Sequence, residues 1–155
     1  MKGGVNMPIG EICNREVVIV RKEDSILEAA KLMREYHVGD VVVVDDREGR
    51  VIPLGILTDR DIVVELIAKE VPLDSVSVQD VMSEDLISAS ENRGVWDTIQ
   101  CMRARGIRRI VVVDDGGGLV GILSIDDLLE LLSGELSDLA KLSMKEWDRE
   151  KETRG

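Results

Sequence analysis

Two heptapeptides decide how this chain folds: Gly55-Ile56-Leu57-Thr58-Asp59-Arg60-Asp61 and Gly121-Ile122-Leu123-Ser124-Ile125-Asp126-Asp127. Each sets a short apolar run before a hydroxyl residue, and a carboxylate follows three residues later. The run is too short for a helix, and Thr or Ser with its trailing acid approximates a capping box, so each heptapeptide reads as a strand feeding a helix. Outward from this pair, sliding the chain by 69 residues sets residues 12–46 over residues 81–115. Met33 then falls on Met102, Arg34 on Arg103, and Val42-Val43-Val44 on Val111-Val112-Val113. Beyond Asp46 the offset drops to 66, because the first copy has three more residues in its connection. The chain is an internal repeat, which has to be recognised before its motifs are interpreted.

Each copy reads in the order β-α-β-β-α. In the first, residues 17–20 form a β-branched run, and Ser25 opens a helix with Ile26, Ala29, Ala30, Met33 and Val38 near 3.6-residue spacing. Residues 41–44 follow as an apolar strand ended by the turn formers Asp45-Asp46. Then come a Gly-containing turn, a strand over 54–57 and a helix over 59–68. Residues 86–89, 95–105, 109–113, 119–123 and 125–132 take the same roles in the second copy, with Gly94 at the place of the cap Ser25 and the helix start there in doubt. Half-cores of this size do not stand alone comfortably, so the expected fold is α+β with an α/β-like order, two repeats packed sheet to sheet about a pseudo-twofold axis. Repeat 1 covers 9–70 and repeat 2 covers 78–133. In residues 134–155, Gly134 interrupts the helix, Leu136, Leu139, Leu142 and Met144 make an apolar stripe, and a charged tail follows.

Composition narrows the function. The 155 residues carry 20 Lys plus Arg against 31 Asp plus Glu, a net charge of −11, which disfavours nucleic acid because such binding rests on clustered cations. Hydrophobic residues make up 44% but aromatics only 2%, so the core is aliphatic. No apolar run approaches the ~20 residues of a membrane span, and residues 1–10 lack a signal peptide's apolar core, so the expected location is cytoplasmic, without membrane attachment. Cys13 and Cys101 form no metal-binding spacing and are expected to be buried. His37, the single histidine, is expected in a loop, and neither a His-based metal site nor a His-dependent triad can be built. No nucleophile-base constellation is present, so no catalytic or metal-ligating residues are assigned.

The two heptapeptides, each preceded at the right distance by a helix and a Val-rich strand ending in Asp-Asp, resemble a pair of cystathionine-β-synthase (CBS) domains, the tandem arrangement called a Bateman module. The family's marker is an apolar strand, Gly-Ile-x-Thr/Ser-x-x-Asp and a helix, and the resemblance covers nearly the whole chain. It implies two clefts between the sheets, in which the matched Asp and Thr or Ser contact adenosine ribose and phosphate. On that basis Thr58 and Asp61 serve one cleft and Ser124 and Asp127 the other, and Ser88 matches a position where the family often carries a hydroxyl. A carboxylate at a helix start suits ribose hydroxyls, and exposed N–H groups with a hydroxyl suit phosphate; the same residues can equally be plain helix caps. Phosphate on so acidic a chain needs local cations, which Arg60, Arg108 and Arg109 supply. Gly39 and Asp40 stand at the Arg108-Arg109 positions of the first copy, so one strong site is expected.

The expected protein is a regulatory module, not an enzyme, that binds AMP, ADP or ATP and signals to a regulated protein by changing shape. No cofactor is required, and magnesium enters only if ATP carries it. S-adenosylmethionine or methylthioadenosine is the alternative ligand, and a structural or adaptor dimer with vestigial clefts the alternative role. A homodimer is expected, closed over the stripe of Ile62, Leu66, Leu128 and Leu132.

Overall fold

The structure, a computed structural model, describes residues 6–154. It holds two three-stranded sheets, ordered β1-β2-β3 and β4-β5-β6. Repeat 1 contributes β1 (Ile19–Arg21), α1 (Ile26–Tyr36), β2 (Asp40–Arg47), β3 (Arg50–Thr58) and the short α2 (Asp59–Asp61). A four-residue helix, α3 (Val78–Val81), leads into β4 (Ser88–Ser90), α4 (Val95–Arg105), β5 (Arg109–Val113), β6 (Leu119–Ser124) and α5 (Ile125–Arg154). In each sheet the first two strands are parallel, and β3 returns antiparallel to β2.

The valine runs explain the packing. A strand sends successive side chains to opposite faces, and a run that is apolar at every position is covered on both. Val41 and Val43 pack with Ile26, Ala29 and Met33 of α1. Val42 and Val44 turn the other way and meet Val111 of β5. Val42 and Val111 are equivalent positions of the two copies, so this valine contact is where one sheet meets the other.

Several elements depart from the sequence expectation. The first strands begin two residues late, at Ile19 and Ser88. β2 runs through Asp45-Asp46 to Arg47, and the hairpin turns at Glu48-Gly49, both left-handed at φ 52° and 78°, the pair of angles a two-residue turn requires. The acids are held in the strand by cations: Arg21 bonds Asp46 at 2.7 Å, and Lys22 and Arg47 bond Asp45 at 3.3 and 3.2 Å. Asp114 does form a turn, accepting the N–H groups of Gly116 and Gly118, both at 2.9 Å. The helix expected over 59–68 is α-helical only to Asp61 and widens into a π-helix at Ile62–Ile67. The β-branched run Ile62-Val63-Val64 crowds a tight turn, and the wider one keeps Ile62 and Leu66 in the repeat 1 core. Those two residues are therefore covered and do not belong to an outer stripe. α4 starts at Val95 despite its glycine cap, because the Asn6 side chain accepts the Trp96 N–H at 3.0 Å. His37 ends α1 in the left-handed conformation, as its counterpart Gly106 ends α4. Both cysteines are half-buried, more open than expected.

Chain contacts divide the molecule into Met1–Leu123 and Ser124–Gly155. In the second unit α5 is one continuous helix of 30 residues, uninterrupted at Gly134. A lone glycine costs a helix about 1 kcal/mol relative to alanine, too little to break one this long. No helix among the described residues is long and apolar enough to cross a membrane.

Candidate functional site

The site is assembled by an exchange of segments. Residues 9–14 open repeat 1 but seat on repeat 2: Ile9 N–H reaches Arg93 O at 2.8 Å, and Asn14 and Ile122 exchange two backbone bonds of 2.9 Å. The matching residues 78–83 seat on repeat 1, where Val78 N–H reaches Asp24 O at 3.0 Å and Ser83 pairs with Ile56 at 2.9 and 3.2 Å. Ile9 and Val78, equivalent positions, are both fully buried. This close approach accounts for the glycine that opens each heptapeptide. A Cβ on Gly55 would lie 2.5 Å from Ser83 O, and one on Gly121 would lie 2.6 Å from Asn14 O.

Seating of the second segment encloses a cavity of about 270 Å³ against the first heptapeptide. Thr58 and Asp61 form one side, Arg108 and Arg109 another, and Ser83 and Asp85 add polar groups. Ile56, Leu86, Ile87 and Ile107 give it aliphatic walls. Four of the eight expected site residues thus meet in one place.

Within it, Thr58 and Asp61 form a complete capping box. Thr58 Oγ1 accepts the Asp61 N–H at 3.1 Å, and Asp61 Oδ2 accepts the Thr58 N–H at 3.0 Å. That arrangement fixes the carboxyl group at the cavity wall, with Oδ1 outside the box. Arg109 extends from the start of β5, and its Nε meets Asp40 Oδ2 at 3.0 Å. Asp40 is the residue at Arg109's own position in repeat 1, so the repeats are joined by an ion pair between equivalent positions. Asp40 also lies opposite Thr58 in the β2–β3 register, and Gly39 O accepts the Asp59 N–H at 2.9 Å. The heptapeptide is therefore anchored to the very stretch that meets Arg109.

The other expected residues sit elsewhere. Arg60 is exposed, with its backbone N–H on Asp59 Oδ1 at 2.8 Å, and Ser88 is exposed in β4; neither lines the cavity. Ser124 and Asp127 repeat the capping box at the start of α5, with bonds of 3.0 and 3.1 Å, and are described within their own unit. Sequence reasoning missed Ser83, Asp85, Leu86 and Ile87, because their place depends on the exchange, and Ile107, which adjoins Arg108. A signal was present in Gly55, whose missing side chain is what admits the segment.

A larger cavity of about 700 Å³ is lined by Asn14, Glu16, Val17, Val18 and Val38, which are the repeat 1 counterparts of Ser83, Asp85, Leu86, Ile87 and Ile107. Ile19, Leu32 and Tyr36 join them, and no arginine does. The two cavities share a plan but differ in charge.

The CBS domain family matches this sequence twice, over residues 9–68 and 78–134. The chain belongs to the CBS-domain family. An uncharacterised protein of Methanopyrus kandleri is 33% identical over 126 residues, covering 81% of this chain and 63% of the relative, so the chain spans less than two thirds of that protein's length. Among solved structures, an uncharacterised conserved protein of Pyrococcus horikoshii superposes with a TM-score of 0.69 at 31% identity, covering 83% of this chain and 93% of the other. A CBS-domain protein of Burkholderia ambifaria, named for a signal-transduction role, gives 0.63 at 28% identity, with coverage of 76% and 83%. The tandem CBS pair and its α+β fold are thereby established.

Proposed function

We propose that this CBS pair is a regulatory module that binds an adenine nucleotide in the 270 Å³ cavity and passes the binding event to another protein as a change of shape. The observation that carries the reading is the meeting of Thr58, Asp61, Arg108 and Arg109 around one cavity. The fixed Asp61 carboxylate suits ribose hydroxyls, two guanidinium groups suit phosphate, and the aliphatic walls suit a purine ring. The module acts as a sensor and not as an enzyme, and the naming of the B. ambifaria neighbour accords with that.

Charge orders the nucleotides. The lining sets Asp61 and Asp85 against Arg108 and Arg109, and Asp40 claims part of Arg109. A site so nearly balanced accommodates one phosphate better than three, because each further negative charge meets carboxylates without a new cation. AMP should therefore bind ahead of ADP and ATP. Calorimetric titration of the intact chain with AMP, ATP, adenosine and S-adenosylmethionine tests this, with AMP expected tightest. Tighter binding of S-adenosylmethionine would make the module a sensor of that class instead. The rival role, a structural adaptor, draws on the capping box, since Thr58 and Asp61 already cap a helix without any ligand. Absence of heat with all four ligands favours it.

A further inference from the structure

We propose that the Asp40–Arg109 ion pair is a latch between the two sheets, that the phosphate of a bound nucleotide opens it, and that a nucleoside leaves it closed. The latch rests on the nucleotide reading and supplies the step that turns occupancy of the cavity into a change of shape. Ion pairs join the sheets on both sides of the valine contact. At the hairpin tips Arg50 Nη1 meets Asp114 Oδ1 at 3.2 Å, and at the cavity end Arg109 Nε meets Asp40 Oδ2 at 3.0 Å. Asp40 and Arg47, the register partner of Arg50, are the two ends of β2 and lie roughly 20 Å apart along an extended strand. Between them Val42 and Val44 pack on Val111, a fulcrum with one charged tie on either side.

The cavity addresses only one of these ties. Arg109 lines it, and Arg50 and Asp114 do not. A guanidinium presents Nε–H and an Nη–H side by side on one edge, a fork that suits two oxygens of a single anion. Phosphate seated on that edge takes the donor that Asp40 uses, and its charge repels the carboxylate it displaces. Asp40 has little room to turn away alone, because its side chain is only 19% exposed and its backbone is held in β2 opposite Thr58. Relief comes from β2 and β5 parting at the cavity end, which rocks the sheets about the valines. Adenosine brings no charge and leaves the pair intact. A partly exposed pair biases two arrangements by about fivefold at most, so phosphate acts by shifting populations.

The test reads the separation of α1 and α4, equivalent helices of the two repeats. Nitroxide labels on Glu35→Cys and Ala104→Cys, exposed equivalent positions, report it by double electron–electron resonance in the full chain carrying Cys13→Ser and Cys101→Ser. AMP should move the distance by about 1–2 Å or more, the scale of a packed-element shift, and saturating adenosine should leave it in place. Unliganded Asp40→Asn should already be displaced toward the AMP-bound distance, and Arg109→Gln, which breaks the same pair from the other side, should match it. Calorimetry on the same labelled protein separates the two readings. No heat with AMP or adenosine removes the nucleotide site and this latch with it, whereas bound AMP with an unmoved distance overturns the latch alone. Equal displacement by adenosine and AMP also overturns it, as does a wild-type distance in both unliganded variants.

Discussion

At the scale of the residue, Arg109 and Asp40 decide what the cavity can hold. The exposed fraction of the Arg109 side chain is 45% and that of Asp40 is 19%, so the pair is partly shielded from water and salt. If Arg109 receives a phosphate, Arg109→Ala removes one or two charge-assisted bonds and should weaken AMP about tenfold to a hundredfold, equivalent to about 1.5–3 kcal/mol. Adenosine should be unaffected, and equal losses for both ligands would make the arginine a structural residue. Arg109→Lys should restore only part of the affinity, since an ammonium lacks the planar fork. Asp40 acts in the opposite sense. Asp40→Asn releases Arg109 from a competing carboxylate and should strengthen AMP up to about fivefold, the worth of a partly exposed ion pair of about 1 kcal/mol, again without effect on adenosine. Weaker AMP binding by this variant would mean that Asp40 aims the guanidinium instead of competing for it.

At the scale of the element, the two glycines and the β2 acids carry the predictions. Gly55→Ala and Gly121→Ala each force a Cβ to within 2.5 or 2.6 Å of a backbone oxygen. Because the obstacle is main chain, relief requires the exchanged segment to lift, and each variant should lose about 1–3 kcal/mol of stability in chemical denaturation. Gly134→Ala, with open space around its Cβ, should instead stabilise α5 slightly. Wild-type-like stability of both heptapeptide variants would count against the exchanged pairing. On β2, hydrogen bonds from Arg47 and then Lys22 hold the Asp45 carboxyl below its ordinary value of 3.8. A carboxyl with a lowered folded-state value stabilises the protein above the unfolded value and loses that contribution as pH falls through the folded one. The melting temperature of wild type should therefore exceed that of Asp45→Asn at pH 7, and the gap should close below about pH 3.8. A gap unchanged at pH 2 would assign the difference to something other than ionisation.

Element order was legible because the copies read each other. Val42-Val43-Val44 matched to Val111-Val112-Val113 fixed a strand in each repeat, and the Thr58/Asp61 pattern marked a helix start that the structure realises as a capping box. Local wording misled where partners lie far away in sequence. Asp45-Asp46 resemble a turn, but Arg21 and Lys22 from β1 hold them in the strand. Gly94 resembles a weak helix start, but Asn6, 88 residues earlier, caps it.

At the scale of the whole molecule, exchange ties the two sheets into one unit. Each leading segment completes the other repeat's heptapeptide strand, so neither repeat folds its own site alone. Thr58, Asp61, Arg108 and Arg109 could be picked out from the motif, the resemblance and the need for cations. Ser83, Asp85, Leu86 and Ile87 could not, since the exchanged segment carries them to the cavity. The same geometry makes the two cavities unequal, one edged by two arginines and the other by none. The central claim, a nucleotide site at Thr58, Asp61 and Arg109, is tested most directly by calorimetric titration of AMP into the intact chain and its Asp61→Ala variant. The account predicts one tight site per chain, weakened about tenfold to a hundredfold by Asp61→Ala, with a smaller loss of stability of about 0.5–2 kcal/mol for the missing cap. Two equal sites, or an affinity unchanged in the folded variant, would contradict it.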